Sequence, residues 1–123
     1  MNENISIETF KRFISEFDPG APGRSGSLIA PVLKELQGRW KNGVLFEMSR
    51  RRSIRFIELK KALPGITNTM LSSTLRELEY DGFVDRMQLN EIPPHVEYSL
   101  TDKGKELIPV WYELFKWGMK YVY

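Results

Sequence analysis

The spacing of apolar residues predicts a chain built mainly of short amphipathic helices. In residues 4–17, apolar side chains recur every three or four positions along one helix face: Ile7, Phe10, Ile14 and Phe17. Residues 18–27 are dominated by proline, glycine and serine and predict a linker. Residues 28–49 resume the helical spacing in two pieces, because Gly38 separates two apolar runs. The first part of the chain therefore predicts three helices.

A pair of helices around a tight turn is predicted for residues 54–63 and 67–80. A Pro-Gly pair follows the apolar stripe of the first helix and ends it. In the second helix, Thr67 is the candidate N-cap, and Asp81-Gly82 supplies the stop. The apolar stripe of the second helix is expected to be buried: Ile66, Leu71, Leu75 and Leu78. Two helices in this arrangement are typical of a helix-turn-helix.

Alternating apolar and polar residues predict a β-hairpin directly after this pair. Its strands are expected at residues 84–89 and 95–100, with residues 96, 98 and 100 on the buried face. Pro93 and Pro94 lack amide donors, so they are expected in the connection between the strands. A hairpin in this position is typical of the wing of a winged helix.

Charge is distributed unevenly along the 123 residues, although the net charge is only +2. Residues 39–61 hold eight basic and two acidic side chains, a net charge of +6. The rest of the chain holds ten basic and fourteen acidic residues, a net charge of −4. A local excess of this size favours a polyanionic partner, with an ordinary solvated helix face as the alternative.

The exposed face of the second helix of the pair is the candidate base-reading surface. It carries short polar residues and one long cation: Thr67, Asn68, Thr69, Ser72, Ser73 and Arg76. Small side chains let a helix approach the major groove, where asparagine and arginine read base edges. An ordinary polar solvent face is the alternative.

Further DNA contacts are expected beside this helix. The upstream candidates belong to the basic run, whose arginines at positions 50–52 could also neutralise phosphates: Arg55, Lys60 and Lys61. The candidates on or next to the hairpin are Arg86, Asn90 and His95. For His95, an exposed strand residue without a special role is the alternative.

Several short motifs follow one another between residues 30 and 118. They are Leu36-Gln37-Gly38-Arg39-Trp40, Arg55-Phe56-Ile57-Glu58-Leu59, Leu63-Pro64-Gly65-Ile66-Thr67, Met70-Leu71, Leu75-Arg76-Glu77-Leu78, Asp81-Gly82-Phe83-Val84-Asp85-Arg86, Pro93-Pro94-His95-Val96-Glu97-Tyr98-Ser99-Leu100-Thr101 and Gly104. In this order they resemble the HxlR-type winged helix-turn-helix transcriptional regulators, relatives of the MarR group. The resemblance implies a homodimeric DNA-binding regulator that inserts residues 67–80 into the major groove and dimerises through its terminal helices.

Three departures from the family pattern bear on function. Many members have a cysteine just before the proline that opens the first conserved helix, where this chain has Ala30 before Pro31. Because the chain contains no cysteine, it cannot sense a signal through that thiol. The family's Pro-Pro-Arg is Pro-Pro-His here, which weakens the expected wing cation and makes it pH-dependent at most. The N-terminal extension, residues 1–27, is longer than usual, so the resemblance does not say where it docks.

Aromatic and apolar residues crowd both ends of the chain. The C-terminal helix is expected to start after the N-cap Thr101 and to kink at Pro109. A dimer interface is expected to bury the terminal clusters: Phe10, Phe13, Phe17, Trp111, Leu114, Phe115, Trp117 and Tyr121. A pocket for a small, flat apolar effector is the alternative, and the two are compatible.

The expected fold class is α+β, mostly α: a winged helix-turn-helix with a two-stranded wing and extra terminal helices used for dimerisation. Its domains are residues 1–27, the N-terminal helix and linker, and residues 28–123, the DNA-binding domain with its dimerisation helix. The expected function is sequence-specific transcriptional regulation by a homodimer on a pseudo-palindromic operator. The alternative is a winged-helix module that binds a small apolar effector or a protein partner and has no operator.

Composition and motifs argue against other classes of protein. The chain has one histidine, no cysteine and no glycine-rich phosphate loop, so neither an enzyme nor a metal or cofactor site is expected. No apolar run is long enough to span a membrane, and residues 1–10 do not read as a secretory signal. We therefore expect a cytoplasmic protein with double-stranded DNA as its partner.

Overall fold

The computed structural model describes residues 5–17 and 25–123, with side chains described outside residues 25–27. The chain forms two compact units, one within residues 1–37 and one comprising Gly38–Tyr123. In chain order the elements are α1 (Ile7–Phe17), α2 (Ser25–Glu35), α3 (Lys41–Ser49), β1 (Ile54–Arg55), α4 (Phe56–Ala62), α5 (Asn68–Tyr80), β2 (Val84–Leu89), β3 (His95–Leu100), α6 (Asp102–Lys105) and α7 (Ile108–Tyr121).

The N-terminal unit contains the amphipathic helix that the sequence predicts. Ser6 caps α1, because its Oγ accepts a hydrogen bond from the Thr9 N–H at 3.1 Å. No residue of α1 is buried, so the described residues leave its apolar face uncovered. The linker prediction is wrong for residues 25–27, because α2 already begins at Ser25. The rest of the predicted linker, residues 18–24, lies outside the described residues.

The hydrophobic core of the second unit is assembled from α3, the helix pair and the sheet. Its members are nearly inaccessible to solvent: Val44, Leu45, Met48, Ile54, Leu59, Ile66, Leu71, Leu75, Leu78, Phe83, Val84 and Leu100. All four residues predicted as the buried stripe of α5 are among them, which confirms the predicted orientation of that helix. Its opposite face is therefore left to solvent.

The helix pair and the hairpin follow the predicted order. Gly65, between α4 and α5, has φ +91, a conformation that glycine adopts without strain. β2 and β3 pair antiparallel from Val84 opposite Leu100 to Leu89 opposite His95. Residues 90–94 connect these strands, so both prolines lie in the connection as predicted. The wing, residues 84–100, is thus a regular hairpin.

Two predictions for the sheet are wrong. The predicted helix at residues 54–63 begins instead with β1, whose Ile54 and Arg55 pair with Tyr98 and Glu97. The sheet therefore has three strands in the order β1-β3-β2. The predicted alternation in β3 is also absent, because its first five residues are all half-buried and only Leu100 is fully buried. β1 pairs with two of these half-buried residues, Tyr98 and Glu97, along one edge of β3.

The end of the chain forms two helices rather than one kinked helix. Thr101 caps α6 as predicted, its Oγ1 accepting from the Gly104 N–H at 3.2 Å. The helix then stops, and Pro109 lies in the first turn of α7. At that position the missing proline amide leaves no hydrogen bond unmade, which favours a new helix start over a kink. The predicted kink is therefore wrong.

Candidate nucleic-acid interface

The polar face of α5 begins at a well-formed N-cap. Thr67 has an extended backbone, and its Oγ1 accepts a hydrogen bond from the Met70 N–H at 3.1 Å. The candidate base-reading residues are exposed, apart from half-buried Ser72: Thr67, Asn68, Thr69, Ser72, Ser73 and Arg76. The N-terminal end of a helix attracts phosphate through its free amides and its dipole. The first turns of α5 therefore offer short polar side chains and a favourable field on one face.

A cleft of about 440 Å³ separates this face from the wing. Residues of α4, α5, β2 and β3 line it: Phe56, Ser72, Leu75, Arg76, Glu79, Arg86 and Tyr98. Two predicted cations from different elements, Arg76 and Arg86, thus share one concavity. Asn90, the other candidate on the wing, is exposed in the connection between the strands. The sequence did not indicate the aromatic lining, because Phe56 and Tyr98 are separated by more than forty positions.

Some cations of the basic run upstream of α5 lie beside carboxylates, and others have no such partner among the described residues. Arg51 Nη1 lies 2.9 Å from Glu58 Oε2, and Arg50 Nη1 lies 3.5 Å from Glu47 Oε1. Exposed pairs of this kind contribute little to stability and are readily exchanged for other partners. Exposed Lys61, half-buried Lys60 and exposed Arg52 have no ion-pair partner within the described residues. These three cations are therefore available to a polyanion, whereas Arg50 and Arg51 each lie beside a carboxylate.

Glu58 fixes the start of α4 beside these cations. Its Oε1 accepts a hydrogen bond from the Arg55 N–H at 2.9 Å, which satisfies an amide that the helix leaves unpaired. This backbone hydrogen bond, helped by the nearby Arg51 and Arg55 charges, lowers the pKa of Glu58. The carboxylate is therefore ionised near neutral pH, and the start of α4, where the Arg55 side chain projects, is held in one place.

Lys41 lies in the basic segment but does not belong to its exposed surface. Its side chain is 6% exposed, and its Nζ lies 2.9 Å from Glu77 Oε1 and 3.9 Å from Asp81 Oδ2. Glu77 and Asp81 are therefore more than solvated surface acids, although the Glu77 side chain is 57% exposed. They hold an ammonium group from α3 and so join α3 to the C-terminal end of α5.

His95 has a different environment from the one its strand pattern suggests. Its side chain is only 14% exposed, and both ring nitrogens lie about 3 Å from carboxylate oxygens of Glu91 and Glu97. The Nε2 atom also lies 3.2 Å from Arg55 Nη2. The alternative interpretation of His95 as an exposed strand residue is therefore wrong. A direct contact between this ring and a phosphate stays a prediction.

The apolar face of α7 is the second exposed feature of this unit. The described residues of α7 include no buried side chain. The α7 residues predicted at a dimer interface are exposed, apart from half-buried Trp111: Trp111, Leu114, Phe115, Trp117 and Tyr121. The aromatic residues predicted on α1 are exposed as well: Phe10, Phe13 and Phe17.

Phe46 of α3 is a member of the α7 aromatic cluster that the sequence analysis missed. Its ring stacks on Phe115 and meets Trp111 edge-on, each at a centroid distance of 6.4 Å. Apolar grooves of about 350 Å³ and 270 Å³ flank this contact. The available signal was a bulky aromatic residue that falls outside the buried stripe of α3.

Neither a membrane helix nor a metal centre is found in the described part of the chain. No helix in residues 5–17 or 25–123 is long and apolar enough to cross a membrane. The same residues contain no group of three or more histidine or carboxylate side chains placed to hold a metal ion.

Comparison with known proteins gives a consistent result. A family model described as HxlR-like helix-turn-helix matches residues 35–123. The HTH-type transcriptional regulator YdzF of Bacillus subtilis (strain 168) is 44% identical over 88 residues, covering 72% of this chain and 81% of that protein. An HTH-type transcriptional regulator of Methanothermobacter thermautotrophicus is 39% identical over 112 residues, covering 84% of this chain and 85% of its own length.

Solved structures that resemble this chain are also transcriptional regulators. A MarR-family regulator from Enterococcus faecalis V583 has a TM-score of 0.71 and 37% identity, covering 83% of this chain and 93% of that one. The oxidised form of the redox regulator HypR has a TM-score of 0.68 and 38% identity, covering 75% of this chain and 94% of that one. The winged-helix fold and the transcriptional-regulator family predicted from the sequence are therefore confirmed. The chain belongs to the HxlR-like helix-turn-helix family of transcriptional regulators.

Proposed function

We propose that this regulator binds double-stranded DNA as a homodimer on a pseudo-palindromic operator. The observation that carries the proposal is the cleft between α5 and the wing, where Arg76 and Arg86 face the same space beside an exposed polar helix face. A recognition helix in the major groove would direct Arg76 to a guanine edge, while Arg86 would neutralise a backbone phosphate. Because this function needs access to the chromosome, the proposal includes a cytoplasmic location.

The uncovered terminal helices supply the support for a dimer. Leu114 and Trp117 on α7 are 60% and 58% exposed, in a cluster that continues through Phe115 and Tyr121. Contiguous apolar surface of this kind usually marks an interface. A second copy of the chain covers such a face symmetrically, which relates two recognition helices by a two-fold axis. Half-sites would then lie about 34–36 Å apart, one turn of DNA.

The test combines sedimentation with selection of bound sequences from random duplex DNA. The proposal expects a dimer at micromolar concentration and enriched sequences with two-fold symmetry at the spacing of one helical turn. Replacing Leu114 and Trp117 together by serine is expected to weaken the dimer. The matched control is Tyr80→Ser, which removes an apolar residue that is 91% exposed but lies on α5. A monomer that still selects a single, unpaired site would overturn the dimeric mechanism.

The grooves beside Phe46 favour a second role, the binding of a small apolar effector. Their lining is almost entirely apolar and aromatic, with Lys116 as the charged residue at the edge of the larger one. Because the chain has no cysteine, its signal does not act through a protein thiol. Saturable binding of a naphthalene-based fluorescent probe, lost in Phe46→Ser, would support an effector site.

A winged-helix module without an operator is the remaining alternative. The test is the salt dependence of binding to random duplex DNA, because phosphate contacts release counterions and make affinity fall steeply with salt. A flat response would favour the module over the DNA-binding regulator.

A further inference from the structure

One ring nitrogen of His95 lies within hydrogen-bonding distance of both a donor group and an acceptor group. His95 Nε2 is 3.2 Å from the guanidinium Nη2 of Arg55 and 3.1 Å from Oε2 of Glu97. The other ring nitrogen, Nδ1, is 3.1 Å from Oε2 of Glu91. Ser53 Oγ donates to the second oxygen of Glu97 at 3.0 Å, so that carboxylate is held in place.

Nε2 cannot accept a hydrogen bond from Arg55 and donate one to Glu97 in the same protonation state of the ring. In the neutral ring with the proton on Nδ1, the Nδ1–H donates to Glu91 and the Nε2 lone pair accepts from Arg55. In the charged ring both nitrogens carry protons, so Nε2 donates to Glu97 and has no lone pair for Arg55. The contact with Arg55 then changes from a hydrogen bond to a repulsion between two cations.

We propose that His95 is a positioning residue for Arg55, and that protonation of His95 releases the Arg55 guanidinium to a DNA phosphate and so strengthens DNA binding. The inference rests on the DNA-binding function proposed above. With a neutral ring, the cluster holds one positive charge and two negative charges, which disfavours a nearby phosphate. With a charged ring, the two carboxylates are balanced and Arg55 is no longer anchored to the ring.

The charged groups around the ring come from three sides. Arg55 of β1 and Glu91 of the wing connection face it, and Glu97 lies on its own strand, while β2 places the apolar Leu89 opposite it. Hydrogen bonds from His95 and Ser53 lower the pKa of Glu97, so this carboxylate stays ionised even at its ordinary pKa of 4.5. The chain has a single histidine, so this ring is the one imidazole on which such a change of charge could act.

The size of the effect depends on how many phosphates the released guanidinium reaches. One additional phosphate contact steepens the slope of log Kd against log salt concentration by about 0.9. A contact between exposed charges changes affinity by roughly twofold to fivefold at moderate salt. We therefore expect tighter binding and a steeper salt dependence at the lower pH.

The experiment measures binding of the full chain to a random-sequence DNA duplex at about pH 5.5 and about pH 8, each at several salt concentrations. The expected result is a lower Kd and a steeper salt slope at low pH in the wild type. His95→Gln keeps the hydrogen-bonding capacity of the neutral ring and is expected to bind equally at both pH values. His95→Arg carries a permanent charge and is expected to bind at both pH values as the wild type does at low pH.

Arg55→Gln separates release of the guanidinium from the mere addition of charge. If Arg55 is the group released, most of the pH-dependent change in salt slope disappears in this variant. The inference is overturned by a pH-independent Kd in the wild type, by an unchanged pH response in His95→Gln, or by a full response in Arg55→Gln. Absence of DNA binding at both pH values would instead overturn the proposed function itself, and this inference with it.

Discussion

The ion pair between Lys41 and Glu77 is expected to respond very differently to loss of its two partners. The ammonium group lies in a side chain that is 6% exposed, whereas the Glu77 side chain is 57% exposed. Replacing Glu77 by glutamine removes a negative charge 2.9 Å from the ammonium nitrogen but leaves the ammonium group buried. Replacing Lys41 by methionine removes the buried charge, retains most of the apolar stem, and leaves Glu77 in contact with water.

The burial of each partner sets the magnitude of the two effects. Breaking a fully buried pair by removing one partner typically lowers the free energy of unfolding by about 3–5 kcal/mol. Glu77 is largely solvated and Asp81 remains 3.9 Å from the ammonium nitrogen, so we expect roughly 1–2 kcal/mol for Glu77→Gln. For Lys41→Met we expect a change within about 1 kcal/mol of zero, because an apolar side chain of similar size replaces the buried charge.

The assay is urea unfolding followed by circular dichroism at one fixed protein concentration, since association would otherwise alter the apparent stability. The double variant is expected to resemble Lys41→Met, because Glu77 has no buried partner once the ammonium group is gone. A larger loss of stability in Lys41→Met than in Glu77→Gln would refute the reasoning. So would a Lys41→Met variant with a weakened salt dependence of DNA binding, since that result would make Lys41 a phosphate contact.

Three further predictions concern the packing of α6, the DNA contacts and acid stability. Gly104→Ala would place a Cβ 2.5 Å from the carbonyl oxygen of Phe83, so urea unfolding should show a loss of about 1–3 kcal/mol. Arg76→Ala should weaken a selected specific site by about 1–3 kcal/mol and barely affect random DNA, whereas Lys60→Ala should weaken both alike; identical behaviour would contradict base reading by Arg76. Because hydrogen bonds from His95 and Ser53 lower the pKa of Glu97, its contribution to stability is present above its ordinary pKa of 4.5 and is lost as pH falls through the lowered value. Unfolding measured between about pH 5 and 3 should therefore be less pH-dependent in Glu97→Gln, and an unchanged dependence would count against this role.

The elements with a repeating signal could be predicted from the sequence. The buried stripe of α5 extends over several turns, and its Thr67 cap and Gly82 stop are both recognisable from residue type. The two prolines also identified the wing connection from residue type, because a residue without an amide donor can occupy few positions in a hairpin. These elements position the candidate interface, which explains why its location on α5 followed from the sequence.

The features that the sequence did not reveal depend on partners distant along the chain. β1 has only two residues, too few for alternation, and it exists because β3 offers an edge for Ile54 and Arg55. The charge count of residues 39–61 includes Lys41 among the surface cations. Only the folded structure shows that its ammonium group lies beside Glu77 and Asp81. A pattern of single residues cannot indicate such pairs.

α3, a helix of nine residues, contacts both candidate functional regions of the second unit. Lys41 at its start holds the C-terminal turns of α5 through Glu77, and Phe46 on a later turn stacks on Phe115 of α7. The two contacts are separated by only about 7–8 Å of helix rise, a distance over which a helix moves as a rigid rod. Any occupant of the aromatic grooves that displaces Phe46 together with α3 therefore also moves the anchor of α5. α3 thus connects the apolar surface of α7 with the helix that carries the polar face.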